Sequence, residues 1–124
     1  PHAQFRRQRQ MCIRDSDRLA QIAGTLAFKD ETYFQLTTNK IIKARQFLID
    51  EMTKMGFNSL PSGANFIFTK HKVVSAELIF KELREKDILV RFFDSPNSIN
   101  NFIRITIGTQ EQMEELINKI KTIV

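Results

Sequence analysis

Hydrophobic and polar residues alternate along residues 102–108 with the two-residue period of a strand. Ile103, Ile105 and Ile107 share one face, and Arg104 lies on the other face between Phe102 and Thr106. Thr109 and Gln112 have the spacing of a capping box, which predicts that a helix begins there. The apolar stripe of this helix comprises Met113, Leu116, Ile117, Ile120 and Val124. The pattern predicts that the last helix covers the isoleucine face of the strand.

The rest of the chain from residue 17 onwards shows further helical and strand patterns. Apolar residues at helical spacing predict a short helix after Asp17, a long helix over about 33–55 and a helix from Ser75 to about residue 86. The stripe of the long helix comprises Phe34, Ile41, Leu48, Met52 and Met55, and Gly56 is placed to end it. Short apolar runs predict strands at 57–60, 64–69 and 88–93. The fold class is therefore α+β, with helices on a largely antiparallel sheet.

Two arginines in neighbouring predicted strands are the strongest candidates for a binding site. If strands 88–93 and 102–107 form a hairpin across the loop 94–101, Arg91 lies directly opposite Arg104. Facing guanidinium groups repel each other, so the arrangement favours an anion between them, because their forked donors match carboxylate and phosphate oxygens. The alternative is that each arginine extends into solvent or pairs with an acid such as Asp94.

Other candidate chemistry is sparse. Asn65 lies within the predicted strand 64–69, where a buried amide needs hydrogen-bond partners, either structural ones or a ligand. His2 and His71 have no cysteine or carboxylate at metal-ligand spacing, so no metal site is predicted. No glycine-rich phosphate loop occurs, and nothing around Cys12 indicates a nucleophilic thiol. The sequence therefore nominates no catalytic residue.

The first 16 residues differ in character from the remainder. The chain has 124 residues and a net charge of +5, and residues 1–18 contain five arginines against two aspartates. This segment shows no helical or strand period, so we interpret 1–16 as a non-native or disordered basic leader and 17–124 as one domain. A basic arm that binds phosphates is the alternative. The lone cysteine, the absence of an apolar signal segment and the absence of a run of ~20 apolar residues predict a cytoplasmic protein with no membrane segment.

Three motifs together resemble one enzyme family. The runs LPSGANF at 60–66, DILVR at 87–91 and IRITIGT at 103–109 are similar, in order and spacing, to the C-terminal part of histidinol-phosphate aminotransferases. These are fold-type I enzymes that depend on pyridoxal phosphate. The resemblance extends from about Ser16 to Val124 and does not include residues 1–15.

The resemblance implies roles for these residues. It implies that Arg104 holds the anionic end of the substrate, that Arg91 assists it and that Asn65 contacts substrate. It also implies histidinol phosphate and glutamate or 2-oxoglutarate as substrates, and a homodimer for the full-length enzyme, with no nucleic-acid partner. The Schiff-base lysine and the residues that bind pyridoxal phosphate belong to a large domain that this chain does not match. We therefore expect a small domain with its lead-in helices, inactive on its own.

Two alternatives stay open. A related pyridoxal-phosphate enzyme with another substrate, such as an aromatic aminotransferase or a threonine-phosphate decarboxylase, would have the same fold and Arg104. A small basic nucleic-acid-binding α+β module would present exposed aromatic rings beside the arginines, for which Phe93 and Phe102 are the candidates.

Overall fold

A computed structural model of the chain describes residues 17–124. The predicted leader 1–16 lies outside these residues and stays a prediction. The described residues divide into two compact units, 17–37 and 38–124. The elements, in order, are two helices, two strands, a helix, two strands and a helix, as predicted. Their bounds are α1 Arg18–Lys29, α2 Glu31–Lys54, β1 Phe57–Ser59, β2 Phe66–His71, α3 Ala76–Glu85, β3 Arg91–Phe93, β4 Phe102–Thr106 and α4 Gln110–Ile120.

The first unit contains α1 and the start of α2. The Asp17 side chain accepts a hydrogen bond from the Leu19 amide at 3.3 Å and caps α1. No residue of α1 is buried among the described residues, and Leu19, Leu26 and Phe28 are 74%, 63% and 90% exposed. Phe34, predicted on the buried stripe of α2, is 57% exposed, so that part of the prediction is wrong for the described chain.

The second unit is a four-stranded antiparallel sheet in the order β1-β2-β4-β3, with its core on one face. Helices α2, α3 and α4 supply the core with side chains at helical spacing, and the strands supply alternate residues. The core comprises Ala44, Leu48, Met52, Phe57, Ile67, Ala76, Ile79, Leu83, Ile103, Ile105, Ile107, Met113, Leu116, Ile117 and Ile120. The prediction that the last helix covers the isoleucine face of β4 is confirmed.

Both predicted helix-end signals near this core are confirmed. Thr109 and Gln112 form the reciprocal capping box of α4, with the Thr109 amide donating to Gln112 Oε1 at 2.9 Å. Gly56 follows α2 with φ +90°, a conformation that few residues with a Cβ adopt. The stripe of α4 ends differently from the prediction: Val124 is 39% exposed and Ile123 packs on the core. The helix stops at Ile120, so the turn that follows breaks the helical spacing.

The strand predicted at 88–93 is shorter in the structure. Only Arg91–Phe93 pair with β4. The Ile88 amide donates to the Leu83 carbonyl at 2.9 Å, and Asp87 has φ +61°. Residues 88–90 are therefore held against the end of α3 and do not extend the sheet.

Among residues 17–124, none of the helices combines the length and the apolar composition that a membrane span requires.

Candidate anion-binding site

The register that brings the two arginines together is confirmed. In the antiparallel pair β3–β4, Arg91 is the Cα partner of Arg104, Phe92 of Ile103 and Phe93 of Phe102. Ile103 belongs to the core, so Arg104 and Arg91 lie on the opposite face of the sheet. The pairing across the loop 94–101 and the alternation of side chains thus place the two arginines at partner positions on the same face.

This second face, which we call the open face, is both aromatic and cationic. The helices of the second unit pack on the other side of the sheet, so none of them covers this face. Alternate residues of three strands form it. They are Phe66, Phe68 and Lys70 of β2, Phe102, Arg104 and Thr106 of β4, and Arg91 and Phe93 of β3.

Arg104 carries a donor without an acceptor. Its side chain is half-buried, and its Nε is buried with no hydrogen-bond partner among residues 17–124. An unpaired buried donor costs about 1–3 kcal/mol in desolvation. Most buried donors have a partner, so this Nε–H is a candidate donor to a ligand oxygen.

No acid of residues 17–124 forms an ion pair with either arginine. The ion pairs of the described chain join lysines to glutamates, and neither Arg91 nor Arg104 takes part in one. The alternative in which Asp94 pairs with one of them is therefore wrong for residues 17–124. Arg91 is exposed, whereas Arg104 is half-buried, so the two differ in their access to solvent. The pair is a concentration of positive charge with free donors, which suits an oxyanion.

Phenyl rings lie against both guanidinium groups. The Cζ of Arg104 is 5.3 Å from the centroid of Phe66, and the Cζ of Arg91 is 5.1 Å from that of Phe93. Both distances lie within the ~6 Å range of cation–π interactions. These rings stabilise the cations through their π faces and leave the N–H edges available.

Asn65 lies elsewhere than predicted. It is exposed in a bend just before β2, so its predicted position as a buried amide in mid-strand is wrong. The physical reason is the turn: Ser62 Oγ accepts from the Ala64 amide at 3.2 Å and donates to the Phe66 carbonyl at 2.5 Å. Arg45 of α2 also donates to the Ala64 carbonyl at 2.7 Å. The strand therefore begins only at Phe66, and the predicted contact of Asn65 with substrate stays a prediction.

The open face contains residues that the sequence analysis missed. Phe66 and Phe68 belong to the predicted strand 64–69, and both are half-buried on the open face, while Ile67 and Thr69 face the core. The alternation of residues 66–69 indicates that Phe66 and Phe68 share one face of a strand. Only the pairing of β2 with β4 shows that this face is the one that carries Arg104. Phe102 corrects another expectation, because it is 7% exposed beneath Lys70, whose Nζ is 5.1 Å from its ring centroid. It is therefore not the exposed ring that a nucleic-acid module would present.

The lysines and the possible metal ligands of residues 17–124 form no further candidate site. None of the ten lysines is buried, and residues 17–124 contain no group of three His, Cys, Asp or Glu side chains that could hold a metal ion. His71 is engaged in the fold, since its Nδ1 accepts from the Val74 amide at 2.9 Å and its Nε2 lies 3.0 Å from the Met55 carbonyl. The anion site remains the candidate for function.

Known proteins are similar to this chain in both sequence and fold. The family described as "Aminotransferase class I and II" matches residues 3–120. A histidinol-phosphate aminotransferase of Clostridium botulinum (strain Langeland) is 46% identical over 108 residues, which are 87% of this chain and 30% of that protein. The chain thus spans about a third of the length of this curated relative.

Solved structures agree with this assignment. The histidinol-phosphate aminotransferase of Clostridium acetobutylicum superposes with a TM-score of 0.69 at 25% identity, covering 76% of this chain and 29% of that chain. The histidinol-phosphate aminotransferase of Sinorhizobium meliloti, in complex with pyridoxal-5'-phosphate, gives a TM-score of 0.69 at 25% identity, covering 79% and 28%. With a family match across nearly its whole length and the α+β fold of these enzymes, the chain belongs to the class I and II aminotransferases.

Proposed function

We propose that this chain is the C-terminal part of a pyridoxal-phosphate-dependent histidinol-phosphate aminotransferase. In this proposal Arg104 and Arg91 bind the phosphate of histidinol phosphate in one half-reaction and a carboxylate of glutamate or 2-oxoglutarate in the other. One pair of forked cations serves both, because phosphate and carboxylate oxygens accept the same bidentate hydrogen bonds.

The observation that carries the proposal is the unpaired donor of Arg104 beside a second, unneutralised arginine. A sheet stabilised for its own sake would place an acid or an apolar residue at one of the two facing positions. Here the Nε of Arg104 is buried without an acceptor, and neither guanidinium meets a carboxylate among residues 17–124. A substrate oxyanion would supply both the charge and the acceptor.

The chain supplies no residue for the cofactor in this proposal. When bound, pyridoxal phosphate provides the electron sink for amino transfer. Its Schiff base needs a lysine inside an enclosed site, and the ten lysines of this chain are exposed or half-buried. We therefore assign the cofactor to the part of the full-length protein that corresponds to the relative's length beyond the 30% that this chain covers. The exposed apolar residues of α1 support burial against the rest of the full-length protein or against a second copy in a homodimer.

A cytoplasmic location is also part of the proposal and is supported by the single cysteine.

The test uses the full-length protein that carries this chain. We expect transamination from histidinol phosphate to 2-oxoglutarate. Arg104→Ala should lower kcat/KM about 30- to 1000-fold with both substrates, because a desolvated charge-assisted contact is worth ~2–4 kcal/mol. Arg104→Lys should recover only part of this, since an ammonium has no fork.

A matched control separates this effect from general loss of charge. Arg84→Ala removes an exposed arginine from the last turn of α3 and should leave kcat/KM within about twofold of the parent. If Arg104→Ala also stays within threefold with both substrates, the anion-site assignment is wrong. Activity with another phosphorylated or aromatic amino acid and none with histidinol phosphate would favour a related pyridoxal-phosphate enzyme.

A further inference from the structure

The open face carries two positive charges at partner positions. Some attractive interaction must therefore hold the two guanidinium groups in place before an anion binds. Arg91 and Arg104 are Cα partners across β3 and β4. Partner residues in an antiparallel pair are about 4.5–5.5 Å apart at their Cα atoms, so like charges at such positions repel each other. Arg91 is exposed and Arg104 is half-buried, so an attraction that holds each guanidinium against the sheet would reduce the ordering that an anion has to impose.

Acids do not supply this counterweight. No carboxylate of residues 17–124 forms an ion pair with either arginine. A carboxylate would also be a poor solution for an anion site, because it would occupy the same forked N–H donors that a phosphate or carboxylate ligand uses.

The negative potential comes from phenyl rings instead. Phe66 lies 5.3 Å from the Cζ of Arg104, and Phe93 lies 5.1 Å from the Cζ of Arg91. The ring face carries the negative end of the aromatic quadrupole, so it attracts the guanidinium without competing for its N–H edge. The buried and unpaired Nε of Arg104 shows that this contact leaves a donor free.

A third ring joins the two contacts. Phe68 is the Cα partner of Arg104 on β2, with its ring centroid 5.6 Å from that of Phe66 and 5.5 Å from that of Phe93. The interplanar angles are 84° and 40°, within the edge-to-face and tilted arrangements that aromatic pairs prefer. The three rings therefore form one continuous cluster, Phe66–Phe68–Phe93, that contacts both cations.

We propose that the Phe66–Phe68–Phe93 cluster positions Arg104 and Arg91 for an oxyanion by cation–π contacts. The inference rests on the proposed function, since it takes the two arginines as the anion site. The rings are positioning residues: they act through the guanidinium groups and do not contact the ligand. They offset the repulsion between the arginines, and the site is ordered before the anion binds.

The test compares ring electrostatics with ring volume in the 124-residue chain. A trifluorinated phenylalanine at position 66 keeps the ring but weakens its π face, whereas Phe66→Leu removes the ring altogether. Phe80→Leu is the matched control, because Phe80 is a half-buried ring in the same unit that packs on Phe92 and has no cation over it. Two quantities are measured by NMR: the order parameter of the Arg104 Nε–H group without anion, and the affinity for inorganic phosphate.

Both changes at position 66 should reduce the Nε–H order parameter and weaken phosphate binding, by about three- to tenfold for Phe66→Leu. Phe80→Leu should change neither quantity. An unchanged order parameter and unchanged affinity with the fluorinated ring would overturn the inference, because packing alone would then explain Phe66.

The two readouts also separate this inference from the proposed function. Suppose that the unsubstituted 124-residue chain binds phosphate, that Arg104→Ala abolishes this binding and that the fluorinated ring has no effect. The anion site is then supported, and the proposed role of the aromatic cluster is wrong. If the parent does not bind phosphate, the anion site fails. The order parameter then still decides the cluster, since its loss with the fluorinated ring supports cation–π positioning and its retention overturns it.

Discussion

Replacing Arg104 by methionine should make the chain more stable when no anion is present. The change removes a charge that faces Arg91 across the β3–β4 pair and removes the buried Nε–H, which has no partner among residues 17–124. Methionine keeps an unbranched apolar stem of similar length, so much of the packing on Phe66 remains. A residue selected for substrate binding is expected to have such a stability cost.

The magnitude follows from three contributions. At the ~5 Å separation of partner Cα atoms, two unit charges repel by ~0.8 kcal/mol in water and by ~3 kcal/mol at an effective dielectric of 20, which we take as upper bounds for the two guanidinium groups. Because Arg91 is exposed, the smaller value applies more closely. Removing an unpaired buried donor adds a further gain of about 1 kcal/mol, and loss of the cation–π contact with Phe66 takes back about 0.5–1 kcal/mol. The net expectation is a free energy of unfolding raised by about 1 kcal/mol.

The assay is urea unfolding at low ionic strength, with and without inorganic phosphate. Phosphate at ten times its Kd should stabilise the parent chain by ~1.4 kcal/mol, since only the folded state binds it, and should leave Arg104→Met unchanged. The order of stability should therefore reverse between the two buffers. Arg84→Met, which alters an exposed arginine at the end of α3, should shift neither curve.

The opposite result would refute the reasoning. If Arg104→Met lowers the free energy of unfolding by more than ~1 kcal/mol without phosphate, Arg104 stabilises the fold. If phosphate also stabilises both proteins equally, it binds elsewhere on the chain.

Three further predictions concern the fold around the site. Ile120→Ala should lower the free energy of unfolding by ~2–5 kcal/mol in urea, because the fully buried side chain joins α4 to the core. Gly56→Ala should lower it by ~1–3 kcal/mol, because φ is +90° there and a Cβ would approach His71 Nε2 to 3.1 Å. The pKa of the Glu51 carboxyl is lowered by its hydrogen bond from Lys54. The ionised Glu51 carboxyl therefore stabilises the folded state fully above its ordinary pKa of 4.5, and this stabilisation is lost as the pH falls through the lowered pKa. Glu51→Gln should reduce the acid dependence of the free energy of unfolding in this range.

Each of these has a matched control in the chain. Asn118→Ala alters an exposed position of α4 and should change stability by less than ~0.5 kcal/mol; an equal loss at both positions would mean that α4 does not cover the sheet. Gly63→Ala introduces a Cβ with no atom within 4 Å, so a loss equal to that of Gly56→Ala would contradict the backbone argument. Glu85→Gln removes an exposed carboxyl at the end of α3 and should leave the acid limb unchanged. An acid limb identical in Glu51→Gln and the parent would show that this ion pair does not contribute.

Local interactions determined the parts of this fold that could be deduced from the chain alone. The capping box of α4 involves residues three apart, and Gly56 ends α2 through its own backbone conformation. These two features depend on neighbours in sequence, so residue type and spacing carry the information. The facing positions of Arg91 and Arg104 needed one assumption more, a hairpin register across the loop 94–101, and the strand pairing confirms that register.

Contacts between distant residues decided the rest. Pairing of β2 with β4, some 40 positions apart, placed Phe66 and Phe68 beside the arginines, and the isolated strand contains no sign of that partner. Asn65 became exposed because Ser62 and Arg45 hold the turn before β2, and residues 88–90 left the sheet because Ile88 bonds to the end of α3. The sequence thus determined which residues carry charge and which alternate. Only the tertiary structure decided which rings meet those charges, because that depends on the order of strands in the sheet.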